Sequence, residues 1–281
     1  MRFSVHRTVV VRRNLLNKIA QTLSSAYTAD EARELACWVI EYLSGKSRSD
    51  ILCGLVDIES ESIPWEPIVD RLMQHEPIQY IIGQTAWMGL RLKVTQDTLI
   101  PRAETAELVE WVEERVPAIP IRLLDIGTGT GCIAIALKRH CPLWDVTAMD
   151  FSPAALEVAR ANARLNEVDI RFEKQDILED YSYIPYDVVV SNPPYVRPSD
   201  EVGAEVRLWE PSTAVFVPED DPLLFYRRII TMGIGKQLFF EVNECLAGQV
   251  ADCMQTHGYA DIEIRKDIYG KERMVSGRTA C

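Results

Sequence analysis

Apolar positions in the first quarter of the chain recur with the period of an α-helix. Residues Thr28–Glu31 form a capping-box sequence, which marks the start of a helix. The apolar residues that follow share one face of that helix: Ala32, Leu35, Ala36, Val39, Tyr42 and Leu43. A second amphipathic stretch begins at Pro64. The pattern predicts a bundle of short helices over residues 1–75, and no residue combination in it indicates chemistry.

The pattern changes between residues 76 and 100. Aromatic and β-branched residues occur there around Gly83 and Gly89, which predicts a β-hairpin that links two domains. Because a hairpin holds its ends in a fixed geometry, we expect the helical bundle to be oriented for docking a protein-sized substrate.

From residue 101 to residue 281, short apolar runs alternate with amphipathic stretches. The predicted strands span residues 121–126, 145–150, 170–175, 186–191, 236–242, 260–266 and 272–277. A helix over Pro153–Asn166 fits between the second and third strands. Such alternation predicts an α/β fold in which helices cover both faces of a mostly parallel sheet.

Composition narrows the class of protein. The chain has 281 residues, 47% of them hydrophobic, enough for a catalytic domain and a smaller one. No apolar run is long enough to span a membrane, and the N-terminus lacks the apolar core of a signal peptide. The seven cysteines are odd in number and include no C-x-x-C pair, which is typical of reduced thiols. We expect a cytoplasmic monomer.

Charge and histidine content argue against two further function classes. The four histidines are scattered along the chain and none is paired at ligand spacing, so no metal is expected. The formal net charge of −12 indicates either simple solubility or a field that attracts a basic partner. Either interpretation argues against a protein that grips duplex DNA through its phosphates. Neither direct nucleic-acid binding nor a membrane partner is expected.

A glycine-rich loop follows the first predicted strand and precedes a helix. It comprises Gly127, Thr128, Gly129, Thr130 and Gly131. Glycine permits close approach of the backbone to a ligand. A dinucleotide fingerprint requires G-x-G-x-x-G, but a cysteine stands where the third glycine would be. The G-x-G-x-G spacing therefore disfavours a nicotinamide or flavin cofactor, and the absence of Gly-Lys-Ser/Thr excludes a P-loop.

Carboxylates end the second and third predicted strands. Asp150 ends the second strand, where it could accept hydrogen bonds from both hydroxyls of a ribose and would repel a phosphate on that ribose. An unphosphorylated nucleoside beside a glycine turn fits S-adenosylmethionine. Asp176, followed by Ile177, is placed to bind the adenine amino group, although a local helix cap is the alternative interpretation for this aspartate.

A polar turn ends the apolar run Asp187–Val190. After Ser191 it comprises Asn192, Pro193, Pro194 and Tyr195. Prolines cannot donate to a sheet ladder, so the chain must leave the sheet here. Taken alone, the turn could simply terminate the strand. In a doubly wound sheet, however, ligands bind at the carboxyl ends of strands, and we expect this turn to lie beside the glycine loop and to face the cofactor's sulfonium.

These motifs resemble those of the class I S-adenosylmethionine-dependent methyltransferases. Asn-Pro-Pro-Tyr narrows the resemblance to enzymes that methylate a nitrogen conjugated to an sp² carbon, either an exocyclic base amine or a glutamine amide. Segments along the whole chain are similar to the release-factor glutamine N5-methyltransferases (PrmC/HemK): Pro77–Gly83, Leu99–Thr105, Gly127–Gly131, Asn192–Tyr195, Glu210–Pro211 and Asp267–Arg273. A DNA adenine methyltransferase would share only the middle of this series.

The resemblance implies a seven-stranded sheet with an antiparallel last strand, and the glutamine of the Gly-Gly-Gln loop of peptide-chain release factors as substrate. The Asn192 side-chain oxygen and the Pro193 carbonyl would each accept one N–H of the substrate amide. Pro194 and Tyr195 would complete the substrate site, with Tyr195 against the flat amide or simply part of the wall. Asn192 itself, Thr105 or Glu104 could contact the amino-acid part of the cofactor.

Two alternative functions fit the sequence less well than glutamine methylation of release factors. A DNA or RNA exocyclic-amine methyltransferase would need a basic surface or a target-recognition domain, and the sequence indicates neither. A non-catalytic binding protein should show damage at Asn192 or in the glycine loop, and both are intact. The chain departs from the family pattern at Ala103, at Met232–Lys236 and at Val217–Asp221, which puts loop geometry in question but not the chemistry.

Overall fold

A computed structural model describes residues 15–53, 64–180 and 182–279. The chain divides into two compact units, Met1–Gly83 and Gln84–Cys281. Predictions for residues 1–14 and 54–63 lie outside the described residues.

The described part of the first unit consists of short helices: α1 (residues 15–23), α2 (Ala29–Ser44), α3 (Arg48–Leu52), α4 (Glu66–Leu72) and α5 (Ile78–Ile82). The predicted capping box is confirmed at the start of α2. The Thr28 hydroxyl accepts from the Glu31 backbone N–H, and the Glu31 carboxylate accepts from the Thr28 backbone N–H. Apolar faces of these helices form one core, which includes Ile19, Leu23, Ala36, Val39, Ile68, Val69 and Leu72.

The hairpin is shorter than expected and belongs to the second unit. Strands β1 (Gln84–Trp87) and β2 (Leu90–Lys93) pair antiparallel, whereas Ile78–Ile82, expected within the hairpin, is helical. The Asn162 side chain fixes β2, since its Oδ1 accepts from the Lys93 N–H at 2.7 Å and its Nδ2 donates to the Lys93 carbonyl at 3.0 Å. The predicted hairpin is therefore present, with its expected extent corrected at Ile78–Ile82, and these bonds attach β2 to the sheet-containing unit.

The second unit is built on a seven-stranded sheet. Its strands are β3 (Arg122–Ile126), β4 (Asp145–Asp150), β5 (Arg171–Lys174), β6 (Tyr186–Ser191), β7 (Gly235–Glu241), β8 (Tyr259–Lys266) and β9 (Glu272–Thr279). They lie in the order β5-β4-β3-β6-β7-β9-β8. Strand β9 is antiparallel to both of its neighbours, and the other pairs are parallel. The predicted mostly parallel sheet with an antiparallel last strand is confirmed.

Helices cover both faces of this sheet. The remaining helices are α6 (Ala103–Arg115), α7 (Cys132–His140), α8 (Pro153–Leu165), α9 (Ala204–Trp209), α10 (Ser212–Val215), α11 (Leu224–Met232) and α12 (Ala247–Thr256). On one face, α6, α7 and α8 pack on Val188 and Val190 of the central strand β6. On the other, α11 and α12 pack on Val189. Burial on both faces explains why β6 reads as a continuous apolar run.

The parallel register brings four strand ends to one edge of the sheet. Ile126 at the end of β3 pairs with Ser191 at the end of β6, and Ser191 pairs with Phe240 of β7. On the other side of β3, Ile126 pairs with Met149 of β4. The loops that follow these strands are consequently neighbours, and they form the candidate site. Of the helices in the described residues, none is both long enough and apolar enough to cross a bilayer.

Candidate active site

A cavity of about 490 Å³ opens at the carboxyl edge of the sheet. It brings together most of the residues that the sequence predicted for a cofactor and a substrate: Gly127, Thr128, Gly129, Thr130, Asp150, Asp176, Ile177, Asn192, Pro193 and Pro194. Thr105, a further candidate, also lines the cavity, whereas Glu104, Gly131 and Tyr195 do not. Gly131 and Tyr195 each have a specific structural reason.

The glycines of the loop divide into two kinds. At Gly127 and Gly129, φ is 70° and 54°, and an added Cβ would meet no atom within 4 Å. At Gly131, where φ is 81°, an added Cβ would lie 3.1 Å from Ile135 Cδ1 and 3.2 Å from Ala159 Cβ. Gly127 and Gly129 therefore present bare backbone to the cavity, whereas Gly131 lets α7 approach α8.

Two buried carboxylates hold the glycine loop in place. Asp125 Oδ2 accepts from the Thr128 hydroxyl at 2.6 Å, and burial raises the pKa of Asp125 to about 7. Asp150 Oδ2 accepts from the Gly129 N–H at 2.9 Å, and its Oδ1 accepts from the Ser152 N–H at 3.0 Å. Each carboxylate oxygen has a second lone pair. Asp150 can therefore fix the loop and still accept from a ligand hydroxyl.

Part of the cavity wall is apolar. Asp176 lines the cavity, and its Oδ1 also accepts from the Leu178 N–H at 2.8 Å, so the aspartate closes a local turn as well. Ile177 is held by Arg228, whose Nε donates to the Ile177 carbonyl at 2.9 Å. Phe151, which sequence reasoning missed, lines the cavity with 47% of its surface exposed. Its position directly after the strand-ending Asp150 is the signal that could have identified it.

Hydrogen bonds tie the Asn-Pro-Pro-Tyr turn to a buried glutamate. Asn192 Nδ2 donates to Thr105 Oγ1 at 3.2 Å, and the Thr105 hydroxyl donates to Glu241 Oε2 at 2.6 Å. The Tyr195 hydroxyl donates to Glu241 Oε1 at 3.3 Å. Tyr195 is directed to this carboxylate and not to the cavity. Burial raises the pKa of the Tyr195 hydroxyl, so it remains a donor.

Sequence reasoning also missed an ion pair at the site, between Arg102 and Glu210. Glu210 is buried, bonds to the Arg102 guanidinium and accepts from the Ile100 N–H at 3.3 Å. Arg102 lines the cavity. The bonds connect two of the segments that carry the family resemblance, Leu99–Thr105 and Glu210–Pro211, and hold the start of α6 at the cavity.

Comparison with known proteins first establishes the class. The chain is similar in structure to a methyltransferase from Pyrococcus furiosus, with a TM-score of 0.53 and 16% identity over 70% of this chain and 92% of that one. It is also similar to the human METTL16 catalytic domain in complex with an RNA hairpin, with a TM-score of 0.54 and 19% identity over 69% of this chain and 77% of that one. The second unit therefore has the fold of class I methyltransferases, with a cavity at the strand ends.

Sequence comparison then gives the family. Residues 104–215 match the family described as methyltransferase small domain, and residues 14–83 match the PrmC N-terminal domain. The release factor glutamine methyltransferase of Flavobacterium psychrophilum is 38% identical over 94% of this chain and 97% of its own length. The release factor glutamine methyltransferase of Bacteroides thetaiotaomicron is 39% identical over 92% of this chain and 96% of its own length. The chain belongs to the release factor glutamine methyltransferase family.

Proposed function

We propose that this protein transfers a methyl group from S-adenosylmethionine to the side-chain amide nitrogen of the glutamine in the Gly-Gly-Gln loop of peptide-chain release factors. Membership of the family supports this substrate. The observation that carries the proposal is the Asn192 carboxamide, which lines the cavity and gives its NH₂ group to Thr105. Its oxygen is thereby left as an acceptor for an N–H of a substrate amide.

The cavity fits S-adenosylmethionine on two observations of this chain. Backbone at Gly127 and Gly129 faces open space, where a side chain would project. Asp150, at the end of the adjoining strand, offers lone pairs to ribose hydroxyls. We assign Gly127–Thr130 and Asp150 to the ribose and methionine parts, and Asp176, Ile177 and Phe151 to the adenine.

The bound cofactor supplies a methyl group on a positively charged sulfur. The protein's task follows from the weakness of an amide nitrogen as a nucleophile, since its lone pair is delocalised into the carbonyl. Asn192 Oδ1 and the Pro193 carbonyl each accept a hydrogen bond from one N–H group of the substrate amide. These two bonds orient the nitrogen and stabilise the positive charge that develops on it. No strong base is needed, because the nitrogen loses its proton after the new N–C bond forms.

The function can be tested by mass spectrometry. A purified release factor is incubated with the protein and S-adenosylmethionine carrying a labelled methyl group, and the site of the label is mapped. We expect one methyl group on the Gly-Gly-Gln glutamine, and none on a release factor in which that glutamine is replaced by alanine. Label on an adenine of an added RNA or DNA oligonucleotide, with none on the release factor, would instead support the exocyclic-amine methyltransferase.

A further inference from the structure

Three separate segments of the chain converge on Glu241, a residue that sequence reasoning gave no role. Thr105 ends the family segment Leu99–Thr105, and Tyr195 ends the Asn-Pro-Pro-Tyr turn. The hydroxyl groups of both residues donate to the Glu241 carboxylate. Arg273, from Asp267–Arg273, pairs with the backbone of Val242 beside it. Glu241 is only 1% exposed and does not line the cavity, so it acts through its neighbours.

The direction of the hydrogen bonds is set at Glu241. An ionised carboxylate has no proton to donate, so both of its oxygens accept, one from Thr105 and one from Tyr195. The Thr105 hydroxyl has a single proton, and the bond to Glu241 uses it. The Thr105 hydroxyl can then act only as an acceptor towards Asn192. Asn192 must therefore donate to it through Nδ2, and this bond is observed with an Nδ2–Oγ1 distance of 3.2 Å.

Arg273 supports this direction through its charge. Its guanidinium is largely buried and pairs with Asp267 at 3.3 Å. Burial raises the pKa of Glu241, and the positive charge of Arg273 opposes that rise and so favours the ionised form. Strand order explains the convergence, because β9, which carries Arg273, lies beside β7, which ends at Glu241.

We propose that Glu241 is a positioning residue that fixes the polarity of the chain Glu241–Thr105–Asn192, so that Asn192 presents its amide oxygen, and not its NH₂ group, to the substrate. The inference rests on the proposed function for its catalytic consequence. If the polarity were reversed, Asn192 would turn an N–H donor towards the substrate N–H donor. The substrate nitrogen would then lose one of its two orienting acceptors.

Glu241→Gln tests the polarity with almost no change in shape. A glutamine that turns its NH₂ group to Thr105 donates to the hydroxyl oxygen, which frees the Thr105 hydroxyl to donate to Asn192. We expect kcat to fall on the order of 100-fold, the loss that accompanies misplacement of a reacting group. The dissociation constant of S-adenosylmethionine should stay within about threefold, because only a transition-state contact is altered.

A pair of Thr105 variants provides the matched control. Thr105→Val keeps the shape but removes the hydroxyl, and should lose turnover as Glu241→Gln does. Thr105→Ser keeps a hydroxyl at the same place and should retain most of the parent turnover. Turnover of Glu241→Gln and Thr105→Val close to that of the parent would overturn the proposal. So would equal losses in Thr105→Ser and Thr105→Val, or losses matched by an equal weakening of cofactor binding, since these indicate a purely structural role.

A spectroscopic measurement separates this inference from the proposed function. The side-chain ¹⁵N–¹H signals of the Asn192 NH₂ group report its bond to Thr105 in the protein without substrate, and Asn192→Ala identifies them by their loss. We expect these signals to shift in Glu241→Gln and Thr105→Val but to remain near their parent positions in Thr105→Ser. Unshifted signals would overturn the polarity even if release factor is methylated. Shifted signals in a protein that does not methylate release factor would uphold it and reject the substrate.

Discussion

The Asn192 side chain uses its two polar atoms for different purposes. Its NH₂ group donates to Thr105, and in the proposed mechanism its oxygen accepts from the substrate amide. A carboxamide permits this division, whereas a carboxylate would have no donor for Thr105 and an alkyl side chain would have neither group. The asparagine of the turn is thus specified by two neighbours with opposite hydrogen-bonding needs.

Replacement of Asn192 by alanine is expected to abolish methyl transfer. The contact with the substrate amide is realised mainly during reaction, so cofactor affinity should stay within about tenfold of the parent value. Turnover is measured at saturating cofactor, with Asn166→Ala, which lies outside the cavity lining, as the control. Near-normal turnover of Asn192→Ala would reject the proposed mechanism.

Replacement of Asp150 by alanine should act on cofactor binding. The variant loses the ribose contacts and also the bonds to the Gly129 and Ser152 N–H groups. We expect binding of S-adenosylmethionine to weaken by about 2–4 kcal/mol, measured by titration calorimetry. Unchanged affinity would mean that the ribose binds elsewhere along the carboxyl edge of the sheet.

Glu241 should also make activity and stability depend on pH, with opposite signs. Burial raises the pKa of its carboxyl from 4.5 to about 7, against the opposing effects of Thr105, Arg273 and Tyr195. Protonation as the pH falls through about 7 removes the acceptor, so turnover should rise with pH across this range. The charged groups that face the Glu241 carboxyl are Arg273 and Glu104, and the titratable hydroxyls near it belong to Tyr195 and Tyr226.

The stability effect follows from linkage. A raised pKa in the folded state gives a stabilising contribution that is complete below the unfolded pKa of 4.5 and is lost as the pH rises to about 7. Asp125 contributes in the same direction. Urea unfolding at several pH values should therefore show a smaller decline for Glu241→Gln than for the parent, and its turnover should lack the rise near pH 7. Parallel profiles for the two proteins would contradict the assignment.

At the scale of elements, the strands and the existence of the hairpin could be predicted from the sequence, but the start of the hairpin could not. Strands β3, β4, β6 and β7 are largely buried, so their positions follow from runs of apolar residues in the sequence. The edge strand β5, with the sequence RFEK, has no fully buried residue. Ile78–Ile82 is also apolar and β-branched, and periodicity alone cannot distinguish a short buried helix from a strand. Gly83, with φ of 78°, ends it as a helix cap. The convergence on Glu241 was not predictable, because it depends on strand order.

The two helices that meet at Gly131 give a test of packing. Gly131→Ala adds a methyl group against Ile135 and Ala159 at a φ of 81°, and we expect it to lower the free energy of unfolding by about 1–3 kcal/mol. The matched control is Gly248→Ala in α12, where an added Cβ meets no atom within 4 Å, and which should stabilise by about 0.4–1 kcal/mol. Denaturant unfolding of both variants checks this, and equal effects would show that Gly131 is not a packing position.

At the scale of the whole molecule, the catalytic residues and the family-specific N-terminal residues lie in different units. Every residue that lines the cavity belongs to Gln84–Cys281, while the match to the PrmC N-terminal domain covers residues 14–83. The first unit has its own apolar core. We therefore propose that Met1–Gly83 serves recognition of the release factor and leaves the chemistry to the second unit.

Removal of Met1–Gly83 should separate recognition from chemistry. The hairpin is attached to the second unit through Asn162, so a chain of Gln84–Cys281 keeps every residue of the cavity. We expect it to unfold cooperatively and to bind S-adenosylmethionine within about threefold of the parent affinity, because no cofactor contact is removed. Its kcat/KM for intact release factor should fall steeply, while a short peptide containing Gly-Gly-Gln should be methylated at the same rate by both proteins. A truncated protein that methylates intact release factor as well as the parent does would show that the N-terminal unit is not a docking element.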